Sequence, residues 1–255
     1  MTPFQKFLIS FLIALTGLIV LSSLGWIRWW VSIAFVIISL GLILKNSLNI
    51  RSGFFIESFN RAIPSEEKKI ALTFDDGPHP ATLQVLDVLK KKGVKATFFC
   101  IGKNIEKHPD IFRKIIAEGH SVGNHSYSHS PFIGFFSSKK IEREIQQTDL
   151  LIQSFTNKKN NWYRPPFGVT NPHIASAIKR LEHRVIGWNV RSLDTIIADE
   201  RKIVTRITSR LCPGSVVLLH DTSVKTANVL EQLLLFLEQQ NYLPVTVEQM
   251  IGYEK

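Results

Sequence analysis

Cysteine is nearly absent: the 255 residues include two, Cys100 and Cys212. Two thiols make no disulfide framework, and Cys100, inside the apolar run TFFCIG, reads as a core thiol. The chain has no zinc-finger spacing, no RNA-binding signature and no basic run interleaved with aromatics, so no nucleic-acid partner is expected. Internal repeats and low-complexity tracts are also missing, which excludes a repeat architecture. Acid is in short supply: 21 Asp and Glu against 31 Lys and Arg leave a net charge of +10 and a pI near 9.7. Such a surface serves solubility, or attracts anionic headgroups or an anionic polymer. Nothing points to an obligate protein partner.

Charge is missing altogether from Phe7 to Leu24, a run of about 18 residues, enough to span a bilayer at 1.5 Å per residue. A second apolar run, Trp29 to Leu44, is about 16 residues long and carries Trp29 and Trp30, with Trp26 just before it, as aromatics suited to a membrane interface. The first run exceeds the usual core of a signal peptide and has no small-x-small cleavage site. The expectation is therefore a transmembrane hairpin over 1–46. The competing readings are a cleaved signal, a single anchor with an interfacial segment, and a buried soluble hairpin. Lys6, Lys45 and Arg51 outnumber Arg28 in the turn, so charge alone favours a cytoplasmic main domain by a narrow margin.

What is present beyond a connector at 47–67 is a series of short β-rich runs alternating with helical patterns. KIALTF, KATFFCIG, HSVGNH, WYRPP, RVIGWNV, SVVLLH and LPVTV read as strands. Helical spacing follows near 81–92, 109–118, 137–154, 172–180, 201–211 and 226–240. Alternation of this kind argues for an α/β fold with a parallel sheet, either a closed barrel or a doubly wound sheet. Asp75, Asp76, His125, Arg164, Asp194 and His220 all fall where a strand gives way to a loop. In parallel α/β folds those strand ends share one face, where sites are built.

The stretch TFDDGPHP raises a physical question, because the adjacent carboxylates of Asp75 and Asp76 repel and are costly to desolvate. A solvated turn is the ordinary answer. GNHSYSHS supplies another, since His125 and His129 have the four-residue spacing of metal-binding histidine pairs. Two histidines and one acid make a ligand set with open positions, suited to zinc, iron or another divalent transition metal. One acid then binds the metal while its neighbour acts on water. A bend at Gly77-Pro78 is needed to aim both.

These residues resemble the polysaccharide deacetylases, carbohydrate esterase family four, with a NodB-type domain. The resemblance covers 68–255 and rests on TFDDGP, the H-S-x-x-H pattern of His125 to His129, RPPFG from Arg164, and LLHD from Leu218 to Asp221. It implies a distorted (β/α) barrel of about seven strands and hydrolysis of N-acetyl groups on a polymeric or lipid-linked amino sugar, with peptidoglycan as the first substrate and chito-oligosaccharide or a lipid-linked glycan as the alternative. Asp75 becomes the base, Arg164 its partner, and His220 the acid. Asp76, His125 and His129 become ligands of a divalent metal, zinc first, with cobalt, nickel or manganese as alternatives. The Phe167 backbone N–H would face the oxyanion. Leu218 or Leu219 would wall the acetyl pocket, and Phe167, Leu219, Trp188 and Asp194 form the substrate-binding set.

RSLDT departs from the family's D-x-x-D-W: Arg191 replaces the first Asp, the usual partner of the acid histidine, and Thr195 replaces the Trp. Asp194 is then the available carboxylate. An inactive carbohydrate-binding member and an anchored scaffold with a structural metal are the readings of other classes. Because the expected polymer lies outside the cell, the domain is expected on the outer side of the membrane, against the charge count.

Overall fold

The computed structural model describes residues 1–63 and 67–252. Two apolar helices come first, α1 (Pro3–Ser23) and α2 (Trp30–Ser47). Thr2 and Gln5 cap α1 reciprocally, and Pro3 occupies its first turn, where no N–H partner is needed. Neither helix has a polar stripe: Ile13 is 70% exposed and Ile37 63%. The two lie side by side, with the Phe11 and Phe35 rings stacked at 5.4 Å. They meet the rest of the chain through Phe4, which packs on Phe54 and Phe55, and through Ser47, whose carbonyl accepts from the Thr170 N–H.

The remaining elements alternate as the patterns predict. In chain order they are β1 (Ser58–Phe59), β2 (Lys68–Asp75), α3 (Thr82–Lys91), β3 (Thr97–Cys100), α4 (Gly102–Lys107), α5 (Pro109–Ala117), β4 (Ser121–Asn124) and α6 (Ser138–Thr156). Then follow β5 (Trp162–Tyr163), α7 (Pro172–Leu181), β6 (Arg184–Ile186), β7 (Val190–Arg191), α8 (Glu200–Thr208), β8 (Val216–His220), α9 (Val224–Gln239), β9 (Tyr242–Val245) and α10 (Val247–Gly252). Among the described residues the strands form one curled sheet in the order β1-β6-β5-β4-β3-β2-β8-β7, with β9 also paired to β2. Every ladder is parallel.

The expected strands are all present, with two differences. RVIGWNV breaks at Gly187–Asn189, so its halves become β6 and β7, far apart in the sheet order. The connector contributes β1. From there the chain links β6 to the start of β8: the Gly187 N–H donates to the Phe59 carbonyl at 2.9 Å, and the Ala62 N–H to the Gly214 carbonyl at 2.9 Å. Arg61 forms an antiparallel bridge with Ser215. Residues 58–62 thus staple the barrel across its open side.

Pleating separates two layers. Ile70, Leu72 and Phe74 of β2 join Val217 and Leu219 of β8 and the leucines of α9 in the core beneath the helices. Thr73 and Asp75 point the other way, to the barrel axis, where the Arg164 side chain reaches both. That inward layer ends in the site.

Candidate active site

Asp75 is the last residue of β2, and its backbone pairs with Phe99 on one side and His220 on the other. The side chain is buried, with Oδ1 accepting from Arg164 Nη1 at 2.7 Å. Arg164, directly after β5, is fully buried and spends its remaining donors on the Thr73 hydroxyl and the carbonyls of Ile186 and Gly187 at 2.8–3.0 Å. Its guanidinium lies 4.1 Å from the Phe99 ring centroid. A buried charge held at this many points cannot turn, and it fixes the carboxylate it meets.

The chain bends at Asp76, whose φ of +75° places it in the left-handed region, and the Gly77-Pro78 peptide is cis. The expected bend is present. Glycine is required beside it, because a Cβ at Gly77 would lie 2.2 Å from Asp221 Oδ2. TFDDGP and LLHD are thus locked together through Asp221, whose carboxyl burial pushes up to about 7 while the Thr82 hydroxyl donates to it at 2.6 Å.

Asp76 Oδ1 is buried and accepts no hydrogen bond. It faces His129 Nε2 at 3.3 Å and His125 Nε2 at 3.5 Å. One atom from each of these three residues lies within 4.8 Å of the others, so the donor set fits a divalent cation. His125 Nδ1 sits 2.7 Å from the Arg164 carbonyl, which only accepts, so Nδ1 carries the proton and Nε2 offers its lone pair. Burial would raise the Asp76 carboxyl, but without a cation the His125 imidazole in its protonated form outweighs burial and holds it at about 2. His129, partly buried beside His125, is lowered to about 4 and stays neutral, as a ligand must.

The loop between the histidines is held by residues the sequence did not single out. Glu144 on the buried face of α6 accepts from the Ser128 N–H at 2.7 Å and from its hydroxyl. Asn124 accepts from the Ser126 N–H and donates to the Ile145 carbonyl, both at 2.8 Å. Ser126 and His129 adopt φ of +65° and +47°. The signal for Glu144 was an acid three residues after Ile141, on the side of α6 that has to be apolar.

His220 ends β8 on the opposite side of Asp75. Its Nδ1 lies 2.8 Å from Asp194 Oδ1, and its backbone N–H donates to Asp194 Oδ2 at 2.8 Å. Burial would lower the imidazole, yet the Asp194 carboxylate outweighs it and raises His220 to about 9. Asp194 therefore replaces the missing first Asp of the motif as the histidine's partner. It is 2% exposed and also bonded to Ser192, so it is a positioning residue behind His220 and does not line a substrate surface. Leu219 is also corrected: it belongs to the core under the helices, while Leu218, paired with Thr73, is the leucine on the inward face. Phe167 stands at the rim, half exposed with φ +60°, its ring 4.6 Å from that of His129. Trp188 packs deeper, against Gly168, with the Arg164 guanidinium 5.6 Å from its ring. The structure thus gathers Asp75, Asp76, His125, His129, Arg164 and His220 at one mouth.

The family model described as polysaccharide deacetylase matches residues 62–186. Peptidoglycan-N-acetylmuramic acid deacetylase PdaC of Bacillus subtilis is 35% identical over 201 residues, 76% of this chain and 42% of its own length. The solved structure of PdaC superposes with a TM-score of 0.69 at 34% identity, covering 74% of this chain and 92% of that one. A peptidoglycan-N-acetylglucosamine deacetylase of Bacillus cereus is 32% identical over 198 residues, 75% of this chain and 92% of its own length. A chitooligosaccharide deacetylase of Rhizobium leguminosarum bv. trifolii is 37% identical over 158 residues, 62% of this chain and 73% of its own length. The match spans less than half of the full length of PdaC.

Proposed function

Because the chain belongs to the polysaccharide deacetylase family, we propose that it hydrolyses the N-acetyl groups of amino sugars in a glycan and releases acetate. The observation that carries this reading is the placement of two differently prepared groups on either side of the Asp76–His125–His129 cluster. Asp75 is fixed by the buried Arg164 guanidinium, and His220 is held protonated by Asp194. Amide hydrolysis needs that pairing, a base for the water and an acid for the poor leaving group.

Asp76, His125 and His129 are the residues that would hold the cation, zinc in our reading ahead of cobalt, nickel or manganese. When bound, the cation polarises the acetyl carbonyl and acidifies water. Asp75 takes the proton from the attacking water as the carbon–oxygen bond forms. The Phe167 N–H is the proposed oxyanion donor and Leu218 the wall beside the acetyl methyl. His220 gives its proton to the nitrogen as the carbon–nitrogen bond breaks.

Peptidoglycan is our first substrate, supported by the named activities of PdaC and the Bacillus cereus relative. Chito-oligosaccharide, the substrate class in the Rhizobium relative's name, is the second. We further propose that α1 and α2 form a membrane hairpin over 1–46, with 47–67 as connector and the domain from Lys68 on the outer side. The test is acetate release by the full chain from peptidoglycan and from chitin oligomers, with and without chelator. Release that chelator abolishes and added metal restores supports the reading, while no release from either polymer at full metal loading rejects it.

A further inference from the structure

Beside the mouth, past Phe167 and Trp188, a groove of about 310 Å³ runs along the chain where it leaves α2. Its polar lining is dominated by four arginines from three separate places: Arg51 after α2, Arg191 at the end of β7, and Arg206 and Arg210 on α8 and its exit. Among the described residues no carboxylate forms an ion pair with any of the four. Arg206 Nε donates to the Arg191 carbonyl at 2.9 Å and Arg210 Nη1 to the Arg206 carbonyl at 3.0 Å, so two of the guanidinium groups are held in place without being neutralised. Four cations lining one concavity repel one another, an arrangement that an oxyanion relieves.

We propose that this groove binds a phosphate ester. Guanidinium groups are planar forks whose paired N–H donors match phosphate oxygens, and several around one groove suit a phosphate's set of oxygens better than a carboxylate's two. The place matters as much as the charge. The groove shares Phe167 with the mouth, so a phosphate seated there sits on the same surface as an amino sugar entering the site. It also adjoins Leu48 to Arg51, the residues that follow the apolar hairpin. Phosphate at that point has two sources, a phosphate on the sugar's own carrier or the headgroup of a bilayer lipid.

The experiment uses the full chain in neutral detergent micelles. Binding of inorganic phosphate and of an N-acetylglucosaminyl phosphate is read by calorimetry, which needs no turnover and is therefore separable from failure of the deacetylase reading. The expected result is saturable binding that weakens with added salt and falls at least tenfold in Arg191→Ala/Arg210→Ala, with recovery in Arg191→Lys/Arg210→Lys. An unchanged melting curve for the alanine pair shows that folding is not the cause. Two activity arms, which rest on the deacetylase reading, locate the source. A KM for the phosphorylated sugar at least tenfold below that for the neutral sugar, lost in the alanine pair at constant kcat, assigns the groove to the substrate. Equal KM values in micelles, with turnover raised in nanodiscs of phosphatidylglycerol over phosphatidylcholine, assign it to bilayer headgroups. Phosphate binding that is absent, or identical in wild type and the alanine pair, overturns the proposal.

Discussion

Asp75 and Asp76 are consecutive in the chain but meet different partners, so identical substitutions should fail differently. Asp75→Asn keeps the shape beside Arg164 but cannot take a proton, and loss of a positioned base costs about 10²–10⁴-fold in rate. Metal content, measured by atomic absorption, should stay at the wild-type level, and added metal should restore nothing. Asp76→Asn should instead lose metal and regain part of its activity in metal excess, because a neutral amide is a poorer ligand. Equal rescue of both would sink the division of labour. The acid is testable through its partner. Asp194 raises His220 from 6.5 to about 9, so His220 is protonated below that value and the basic limb of the kcat profile should lie near it. In Asp194→Asn the limb should move toward 6.5, and activity between those two pH values should fall most. A limb that stays in place shows that another group titrates there.

At the scale of elements, much was legible because helix and strand periods differ and glycine or proline punctuates each change. Asn171-Pro172 marked the start of α7 and Asp75 the end of β2, so the residues at strand ends were found together. What stayed hidden were long-range choices. No local pattern tells that RVIGWNV must split so that its two halves join β1–β5 and β8 separately, since both halves are apolar enough for either. Which of Leu218 and Leu219 faces the axis depends on register with β2, and which carboxylate meets His220 depends on a turn at Leu193, where φ is +60°. The staple is testable at Gly214, which has φ +83° and where a Cβ would meet the Ala62 carbonyl at 2.3 Å. Gly53 has φ +63° and open space around it. Gly53→Ala should cost only the backbone term, about 1 kcal/mol. Gly214→Ala should lose about 1–3 kcal/mol more through overpacking, read as a melting point lower by several degrees. Equal melting points for the two would mean that the staple carries no load.

For the whole molecule, the proposed membrane hairpin makes the side of the membrane the factor that decides which polymer the site can meet. Phosphatase and fluorescent reporters fused after residue 60 should report an outer location, and reporters active only in the cytoplasm would move the substrate to a lipid-linked precursor. The staple has a further consequence, in the order of events during synthesis. Residues 58–62 are made before every strand they join: Arg61 reaches the Pro213 carbonyl across 152 positions. Contacts that close such long loops come late in folding, because chain entropy opposes them until the intervening structure exists. Yet the Phe59 carbonyl holds the Gly187 N–H, the Gly187 carbonyl holds Arg164, and Arg164 holds Asp75. Asp75 is thus aimed partly through a long-range contact, Phe59 to Gly187, of the kind that forms late. A chain with its staple unmade would carry every residue of the site and still leave Asp75 without the final link that orients it.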